Sequence, residues 1–385
     1  MLEKALRGNK SYFVWIGFLL LLVGMGFRFY LMQLGYGLGI TGMSRDVSWG
    51  LYIGQFTFLV GVAASAVMLV LPYYLHNYKV FGKITILGEF LAVAAVTMCL
   101  TFIVVDLGRP DRAFNVLLHP TPNSVLFWDM VVLNGYLFLN IFVGWTVLEA
   151  EAKSAPPPKW IKPFIYLSIP WAVSIHTVTA FLYAGLPGRS FWLSAIMAPR
   201  FLASAFAAGP ALLIMICLFL RKYTKFDAGW EAIQSLAKIV TYAMIISVFF
   251  VLCELFTVFY SQIPEDMNHF RYLFFGLHGH DGLVPWMWAS TVLAMLSLVL
   301  MINPKTRNSP GTLAMGCVCV FFSLWIEKGI TLVLTGYIPS PLETITQYHP
   351  SVPEIGIVIG VWSLGFLILS ILYKVALSVK LESAS

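Results

Sequence analysis

The sequence predicts an all-α integral membrane protein with ten transmembrane helices. Of its 385 residues, 59% are hydrophobic and only 11% are charged, and the mean hydropathy is +0.83. Soluble domains carry charge on about a quarter of their residues. The apolar residues come in runs of about 20, the length that crosses a bilayer as a helix, separated by short polar stretches. This pattern excludes a soluble enzyme, a disordered chain and a disulfide-framed secreted domain.

Ten segments are long and apolar enough to span. Because backbone groups in lipid must be hydrogen-bonded internally and the runs show no two-residue alternation, we expect helices rather than a barrel. The first segment is too long for a signal peptide and lacks a small-residue cleavage site before Arg28, so we expect it to be retained. The predicted spans are 11–33, 51–76, 84–105, 124–148, 161–185, 200–220, 238–261, 284–302, 312–337 and 354–377.

The basic residues orient these spans. Two of the 24, Arg28 and Lys328, fall inside spans. Six lie on the face away from the N-terminus: Arg45, Arg109, Arg112, Arg189, Arg200 and Arg271. The other 16 lie on the N-terminal face: Lys4, Arg7, Lys10, Lys79, Lys83, Lys153, Lys159, Lys162, Arg221, Lys222, Lys225, Lys238, Lys305, Arg307, Lys374 and Lys380. The positive-inside rule therefore predicts that both termini are cytoplasmic, in the inner membrane of the cell.

The connecting segments predict the domain organisation. No loop exceeds about 25 residues, so a redox centre or soluble catalytic unit would have to come from a partner. The proline-rich stretch 154–158 forms a short linker after the fourth span and could mark a seam between two helical bundles. Small-residue stretches at 61–66 and 204–209 suggest an internal repeat, although small residues also pack any membrane helix closely.

Cysteine and histidine positions argue against bound metal cofactors. The five cysteines, Cys99, Cys217, Cys253, Cys317 and Cys319, all lie in apolar spans, without the spacing of cluster or covalent haem motifs. Haem b in a membrane normally needs two facing histidines, and only His176 lies deep in a span. His119, near the end of a predicted helix, is the one other candidate for a haem ligand. The stretch 278–281 could bind a metal, but an exposed polar loop is the more common explanation. We therefore expect no haem and no iron–sulfur cluster in this chain.

The few ionisable residues inside the spans collect in one half of the membrane. Such groups are costly in lipid and by default mark a pathway or a site. At about 1.5 Å per residue, all but Glu89 lie in the outer half. Individually each could be a satisfied structural pair, and Arg28 could simply snorkel to the surface. Together they predict a polar outer cavity, and its members are Arg28, Asp106, Asp129, His176, Arg200, Glu254, Glu327 and Lys328.

The residues around this cavity fit an amphipathic aromatic ligand. Aromatic rings and amide or hydroxyl donors would flank a ring with carbonyl oxygens, and they are Trp49, Tyr52, Gln55, Trp128 and Trp192. A quinone is the natural candidate, because its head is polar, its tail is lipid-soluble and its reduction consumes two protons. Asp106, Asp129, His176 and Glu254 are side chains of the right types to carry those protons.

Several motifs, in order, resemble the NrfD/PsrC family of quinone-interacting membrane subunits. They cover most of the chain from about 40 to 340. The ten helices, the length and the Trp128-Asp129 pair are most similar to the DsrP-type subunits of DsrMKJOP complexes of sulfate-reducing organisms, with quinone-reductase (QrcD) and Hmc-type relatives close behind. The motifs are Ser48-Trp49-Gly50-Leu51-Tyr52, Asp106-Leu107-Gly108-Arg109-Pro110, His119-Pro120-Thr121-Pro122-Asn123-Ser124, Phe127-Trp128-Asp129, Ile175-His176-Thr177-Val178-Thr179-Ala180-Phe181, Gly188-Arg189-Ser190-Phe191-Trp192 and Ala198-Pro199-Arg200-Phe201-Leu202-Ala203-Ser204-Ala205.

The resemblance implies a single membrane domain of two four-helix bundles. The first would hold helices two to five, at about 40–155, and the second helices six to nine, at about 156–340. Helices one and ten, the latter at 354–377, would lie outside them. The resemblance also implies menaquinone near the outer face and an extracytoplasmic four-cluster ferredoxin-like partner (DsrO-like). A haem b membrane subunit, a cytoplasmic iron–sulfur subunit and a multihaem cytochrome c (DsrM-, DsrK- and DsrJ-like) would complete the complex, without nucleic acid.

The family's quinone site maps onto the first bundle. Some relatives have a ring-binding histidine in the second helix, and Gln55 or its neighbours occupy that region here. Arg109 would stabilise negative charge on the reduced quinone or help to dock the partner, or pair with Asp106 or Asp111. Glu89 would extend a proton path to the cytoplasm. The mapped residues are Trp49, Tyr52, Gln55, Asp106, Arg109, His119, Trp128 and Asp129, and Arg189 and Arg200 of the later motifs are further quinone-binding candidates.

Two other classes of function remain open. A polar cavity between two repeats also describes a proton- or solute-coupled secondary carrier, which would have broken helices with midplane sites and would work alone. A pure membrane anchor would leave the buried polar residues without a role.

Overall fold

The computed structural model describes residues 2–383, which form helices and connecting loops without a β-strand. Ten helices of this part of the chain are long and apolar enough to cross a membrane, which confirms the predicted number. We name them α1 (Lys10–Tyr36), α2 (Leu51–Leu75), α3 (Thr85–Asp106), α4 (Val125–Ala152), α5 (Lys159–Ala184), α6 (Met197–Tyr223), α7 (Trp230–Ser261), α8 (Val284–Ile302), α9 (Pro310–Thr335) and α10 (Val352–Glu382).

The largest difference from the predicted spans is at the start of α7. The helix begins at Trp230 rather than at 238. The first two turns of this helix contain exposed Glu231 as well as buried Ile233 and Leu236. They are too polar to be recognised as part of an apolar span, but the buried side chains pack against the rest of the protein and stabilise the helix. Tertiary burial therefore extends this helix beyond its apolar stretch.

The helices form two closed groups. The first bundle is α2 to α5, in which each helix packs on the next and α5 returns to α2. The second bundle is α6 to α9, closed by contact between α9 and α6. α2 also packs on α6 and α9 and so joins the two bundles. α1 packs along α10, and α10 covers α3 and α4. The domain boundaries at 155 and 340 remain predictions.

Close backbone approach joins α2 to α9. A Cβ atom on Gly54 would lie well inside contact distance of the Gly329 carbonyl oxygen. In α9, a π-helical stretch, Glu327–Thr331, contains Gly329 and buries Glu327 and Lys328 beside it. Small residues at such contacts let membrane helices approach closely and gain dispersion energy.

The helix α2 is interrupted between its segments Leu51–Ala63 and Val67–Val70. Two glycines from neighbouring helices fill the break. A Cβ on Gly209 of α6 would meet the Val62 carbonyl oxygen at 2.6 Å, and one on Gly88 of α3 would meet Leu69 at the same distance. The small-residue stretches 61–66 and 204–209 therefore lie against each other, and close packing accounts for their composition.

Five loops connect the helices on the side that is predicted to be extracytoplasmic. We call this side the loop face. These loops comprise 37–50, 107–124, 185–196, 262–283 and 336–351. An amphipathic helix, Pro264–Phe274, lies in the fourth of these loops and buries His269, Phe270, Tyr272 and Leu273. The loop face is therefore folded against the helix ends.

The Gly54 contact predicts a specific stability loss. Gly54→Ala should destabilise the protein by about 1 to 3 kcal/mol, because the new methyl group forces α2 away from the α9 backbone. Gly17→Ala on α1 is the matched control, since nothing lies within 4 Å of a Cβ there. Thermal unfolding of the two variants in detergent would measure the difference, and equal midpoints would contradict the predicted contact.

Candidate functional site

Four aromatic side chains close the gap between the bundles beneath the loop face. We call Trp49, Tyr183, Trp192 and Tyr337 the aromatic box. Trp49 stacks on Trp192 with ring centroids 5.7 Å apart, and Tyr183 and Tyr337 stand edge-on to both tryptophans. The Trp192 indole donates to the Leu332 carbonyl oxygen at 2.9 Å. We expected Trp49 and Trp192 to flank a ligand ring, but the structure packs them against each other.

Arg189 covers the box from the loop face. Its guanidinium carbon lies 4.4 Å from the centre of the Tyr337 ring. The Ser48 hydroxyl donates to the Tyr337 hydroxyl at 3.2 Å. Burial is the main cause that raises the pKa of Tyr337 to about 12, against the opposing effects of Ser48 and Arg189. Tyr337 therefore stays a neutral phenol, and Arg189 holds it by a cation–π contact.

A mainly apolar cavity of about 410 Å³ lies on the other face of α2. It is bounded by α2, α8, α9, α10 and the loop before α10, and it reaches from the loop face inward. We call it the Gln55 cavity. Pockets for small ligands commonly have volumes of about 300 to 1,000 Å³ and apolar walls with a few polar groups. Its aromatic and polar lining includes Gln55, Tyr272, Trp286, Trp325, Gln347, Tyr348 and His349.

Gln55 is completely buried and is held at one end only. Its side-chain oxygen accepts hydrogen bonds from the indoles of Trp325, at 2.8 Å, and Trp362, at 3.0 Å. These two donors fix the amide orientation, so the oxygen is used and Nε2 carries the donors. Within residues 2–383, Nε2 has no hydrogen-bond partner. A buried donor without a partner is costly, so this amide is a candidate to bind a ligand oxygen.

A buried carboxylate, Glu354, bonds to Tyr348, which lines the same cavity near the loop face. Glu354 is fully buried and accepts from the backbone amides of Gly42, Leu51 and Ser351, at 3.0 to 3.3 Å, and from the Tyr348 hydroxyl. Leu51 is the first residue of α2, so the helix N-terminus also stabilises the negative charge. Burial, with the adjacent carboxylate next, raises the pKa of Tyr348, which remains a neutral donor.

Asp106 and Tyr52 lie beside this carboxylate. Asp106 is close enough to interact electrostatically with Glu354, and both carboxylates act on Tyr52. The Tyr52 hydroxyl donates to Gln33 of α1 at 2.7 Å, and Gln33 donates to the Val105 carbonyl oxygen. The Asp106 Oδ1 atom is buried and has no partner among the described residues. Tyr52 therefore points towards α1 rather than into the Gln55 cavity.

Asp129 lies deeper in the first bundle. It is 1% exposed, and its Oδ1 accepts from the Thr179 hydroxyl at 2.7 Å. Tyr183 hydrogen-bonds to Thr57 and lies within electrostatic range of both Asp106 and Asp129. The aromatic box thus stands between these two carboxylates on one side and the second bundle on the other.

Three predicted site residues lie on the protein surface instead. Arg109 is exposed and forms a two-point ion pair with Asp111, with both N–O distances 3.0 Å. His119 is exposed, and Trp128 is 47% exposed with its indole donating to the Pro122 carbonyl oxygen. They do not line the Gln55 cavity. Of the eight residues mapped from the family, Gln55 alone does.

The second bundle contains a buried ion cluster. Arg200 of α6 donates to Glu254 of α7 and to Glu327 of α9, and Lys328 lies 3.8 Å from Glu327. These four residues are each at most 8% exposed. His176 of α5 is 1% exposed, and neither ring nitrogen has a partner within residues 2–383.

The remaining candidate, Glu89, is separated from the loop face by most of the membrane. It lies one turn from the start of α3 and is 2% exposed. Its Oε2 atom has no hydrogen-bond partner in the described part of the chain. In residues 2–383 no group of three or more His, Cys, Asp and Glu side chains could hold a metal ion.

Sequence reasoning did not select three groups that matter here. Glu354 is the first residue of the predicted tenth span and Tyr348 lies in the loop before it, so the burial of these two side chains was not visible, although a carboxylate that opens an apolar span was a usable signal. Trp325 and Trp362, the two indoles that fix Gln55, looked like ordinary membrane aromatics. Tyr337 is the last residue of the predicted ninth span, and only the fold brings it to Trp49.

The sequence pattern of the family described as polysulphide reductase, NrfD, matches residues 39–340, most of the chain. The chain belongs to the NrfD family. This confirms the resemblance, while the choice among its subgroups remains open. The chain is a multi-pass integral membrane protein, as all ten helices and the family indicate.

Curated NrfD relatives are similar over nearly their whole lengths. A putative membrane subunit of a dimethyl sulfoxide reductase of Halobacterium salinarum is 27% identical, over 92% of this chain and 88% of the relative. The Hdr-like menaquinol oxidoreductase integral membrane subunit of Archaeoglobus fulgidus is 23% identical, over 95% and 93%. The menaquinone reductase integral membrane subunit of Nitratidesulfovibrio vulgaris is 20% identical, over 95% and 91%. These relatives are membrane subunits of redox complexes.

The loop face should loosen in acid because of His269. Its ring bonds to Ser190 and to the Ile338 carbonyl oxygen, both at 3.2 Å, and burial lowers its pKa. The unfolded segment then binds a proton more readily than the folded one, so stability is complete above the usual histidine value of about 6.5 and falls as pH decreases below it. The protection factors of the amides in Pro264–Phe274, which are corrected for the slower intrinsic hydrogen exchange in acid, should fall several-fold between about pH 7 and pH 5.5. His269→Gln should flatten this dependence, and an unchanged pH profile in that variant would assign it to other groups.

Proposed function

We propose that this NrfD-family chain is the quinone-interacting membrane subunit of a respiratory redox complex. It would exchange electrons between menaquinone or menaquinol and an extracytoplasmic iron–sulfur partner. The observation that carries this proposal is the Gln55 cavity, with an unpartnered amide donor at its inner end and, at its outer end, the phenol of Tyr348, which donates to Glu354. The names of two relatives, a menaquinol oxidoreductase subunit and a menaquinone reductase subunit, support the choice of quinone.

The lining of the cavity fits a quinone head group. Gln55 supplies amide N–H donors for a carbonyl oxygen, and Trp286 and Trp325 supply apolar faces for a fused ring. At the loop face, Tyr348 and His349 are polar side chains suited to the second oxygen. A bound quinone would supply the two-electron, two-proton chemistry. The chain would orient it and exclude water.

Proton exchange with this site would use the outer carboxylates. Tyr348 already donates to Glu354, and Asp106 lies beside Glu354 with an unpartnered oxygen. A proton held between Tyr348 and Glu354 can therefore pass to or from a group in the cavity without crossing lipid. Asp129 and His176 lie deeper and would extend the path, and Glu89 would continue it to the opposite face. If that path conducts, quinone chemistry at the loop face would be coupled to proton translocation.

The loop after α3 is the proposed surface for the iron–sulfur partner. It exposes Arg109, Arg112 and His119 together with Phe114, Leu117 and Leu118, of which Phe114 is 69% exposed. An exposed apolar patch rimmed by charge marks a protein or membrane contact. We propose an electron-transfer subunit at this face, with both termini in the cytoplasm and DsrO-, DsrM-, DsrK- and DsrJ-like subunits as one possible set.

The interrupted helix α2 is the observation that favours the rival class, a secondary carrier. However, Gly88 and Gly209 of the neighbouring helices pack closely against the break. This packing gives the interruption a structural role and leaves no need for a transport site there. Purification of the native assembly separates the two classes. Co-purification with iron–sulfur subunits and extractable menaquinone supports the redox role, and an active single chain without either contradicts it.

The amide of Gln55 provides a direct test. Gln55→Leu should lower quinone-linked electron transfer by the purified complex about tenfold, the effect of losing one hydrogen bond of ~1.4 kcal/mol. The amount of menaquinone retained through purification should fall in parallel.

Gln234→Leu is the matched control. Gln234 lies near the start of α7, at the end that faces away from the loop face, and its amide donates to the Arg307 carbonyl oxygen. It should retain both activity and bound quinone. Normal quinone content in Gln55→Leu would remove this cavity from the proposal.

Asp129 can be tested without disturbing its hydrogen bond. In Asp129→Asn, the amide oxygen can still accept from Thr179, so the complex should assemble normally. Quinone-linked turnover should fall by about 100-fold or more, the usual cost of removing a proton-transfer group. Asp227→Asn on the opposite face should be unaffected, and unchanged turnover in Asp129→Asn would exclude Asp129 from proton transfer.

A further inference from the structure

The ion cluster of the second bundle lies apart from the Gln55 cavity and has its own opening. A separate cavity of about 310 Å³ is formed by the loop 190–196, α7 and the helix Pro264–Phe274. Glu254 lines it, together with Cys253 and Thr257 of the same helix and Asp266 of the loop face. Arg200, Glu327 and Lys328 do not line this cavity. Glu254 is thus the one member of the cluster that borders it.

The opposite end of the cluster borders a much smaller space. Lys328 and His176 both line a cavity of about 10 Å³ between α2, α5, α6 and α9. A cavity of this size is close to the minimum that one water molecule needs. The Lys328 nitrogen lies 4.5 Å from the centre of the Phe201 ring and has no hydrogen-bond partner in residues 2–383. Two buried nitrogen-bearing side chains therefore face the same space, next to Thr57.

Charge balance ties the two ends together. Arginine side chains stay protonated in proteins, so Arg200 is a cation. When Lys328 is also charged, these two positive groups balance the two negative groups, Glu254 and Glu327. A net charge buried in the membrane is costly, whereas a neutral cluster is tolerated. When Glu254 takes up a proton, neutrality is restored if Lys328 releases one. The neutral states are therefore Glu254 ionised with Lys328 charged, and Glu254 protonated with Lys328 uncharged.

We propose that Arg200, Glu254, Glu327 and Lys328 form a proton-exchange site that opens to the loop face through Glu254 and ends at His176. One proton enters at the Glu254 carboxylate from the outer cavity, and one leaves the Lys328 ammonium group. A neutral His176, which lines the same small cavity as Lys328, has one ring nitrogen that can accept this proton and one N–H that can release a proton in turn. No proton passes through Arg200. Its guanidinium holds the two carboxylates at a fixed separation and transmits the change of charge.

The charged and titratable groups that face Glu254 are few. They are Arg200 from α6, Glu327 and Lys328 from α9, Cys253 from its own helix and Asp266 from the helix Pro264–Phe274. Asp266 lies at the loop-face end of the cavity. Lys328 is thus the one proton-releasing cation in the cluster, and its removal should change the protonation of Glu254.

A hydrophobic carbodiimide tests this arrangement, because it adds to protonated carboxyl groups that it can reach from an apolar cavity. The intact complex in its native membrane would be labelled over a range of pH and analysed by peptide mass spectrometry. We expect labelling at Glu254, with a defined pH midpoint, and none at Glu327. Glu254→Gln must lose the labelled peptide.

Two variants must shift the midpoint in opposite directions. Lys328→Met removes a positive charge, so Glu254 should label up to a pH about one unit or more higher, and Glu327→Gln should lower the midpoint. Lys328→Arg keeps the charge but cannot release a proton, so protonation of Glu254 would leave a net positive charge and the midpoint should fall, as in Glu327→Gln. Lys225→Met lies on the surface and should behave as wild type. If one shifted variant fails to assemble, the other decides the result.

Failure of this proposal is separable from failure of the quinone proposal. Labelling should be the same in Gln55→Leu, because the two cavities share no residue. No labelling of Glu254 at any pH, or the same midpoint in Lys328→Met and Glu327→Gln as in wild type, would overturn the proton-exchange site.

Discussion

The burial of α2 is the constraint on which the rest of the structure depends. This helix contacts both bundles and α10, and of its first segment, Leu51–Ala63, all but Leu51 and Gly61 are buried. Neither lipid nor bulk water can satisfy its polar side chains, so each must find a partner inside the protein. Tyr52 bonds to α1, Thr57 to α5, and Gln55 to indoles of α9 and α10. One helix thus distributes its polar groups to four neighbours.

This distribution produces two polar systems separated by aromatic packing. The first comprises Gln55, which lines the apolar cavity, together with Glu354 and Asp106, which lie behind Tyr348. The second comprises the ion cluster of α6, α7 and α9. Between them stand the aromatic box and the glycine contact of α2 with α9. In the proposed functions, the first system would bind the quinone and the second would exchange protons through Glu254.

The fold could be predicted from sequence because the bilayer imposes it. Span length, the absence of charge and the alternation of basic loops each reflect one physical property of lipid, so ten helices follow without any tertiary knowledge. Depth could also be predicted, since it follows from position along a helix. The side of a helix on which a residue lies could not, because α2 is apolar all round and has no amphipathic face to read. Trp49, Tyr52 and Gln55 were therefore grouped by depth and sequence, whereas the fold points them to the box, to α1 and to the cavity.

Two buried carboxylates, Glu354 and Glu254, show how different the two systems are. Glu354 has no cation within hydrogen-bonding distance among its partners and is stabilised by backbone amides, a phenol and a helix N-terminus. Glu254 is stabilised by a guanidinium that it shares with Glu327. The hydrogen-bond partners of Glu354 are uncharged dipoles, so the proposed proton exchange there would run locally through Tyr348. A shared cation joins Glu254 to Glu327, and Lys328 lies beside Glu327, so the charges of the second cluster are coupled. The first arrangement suits local exchange at a ligand, and the second suits transmission between sites.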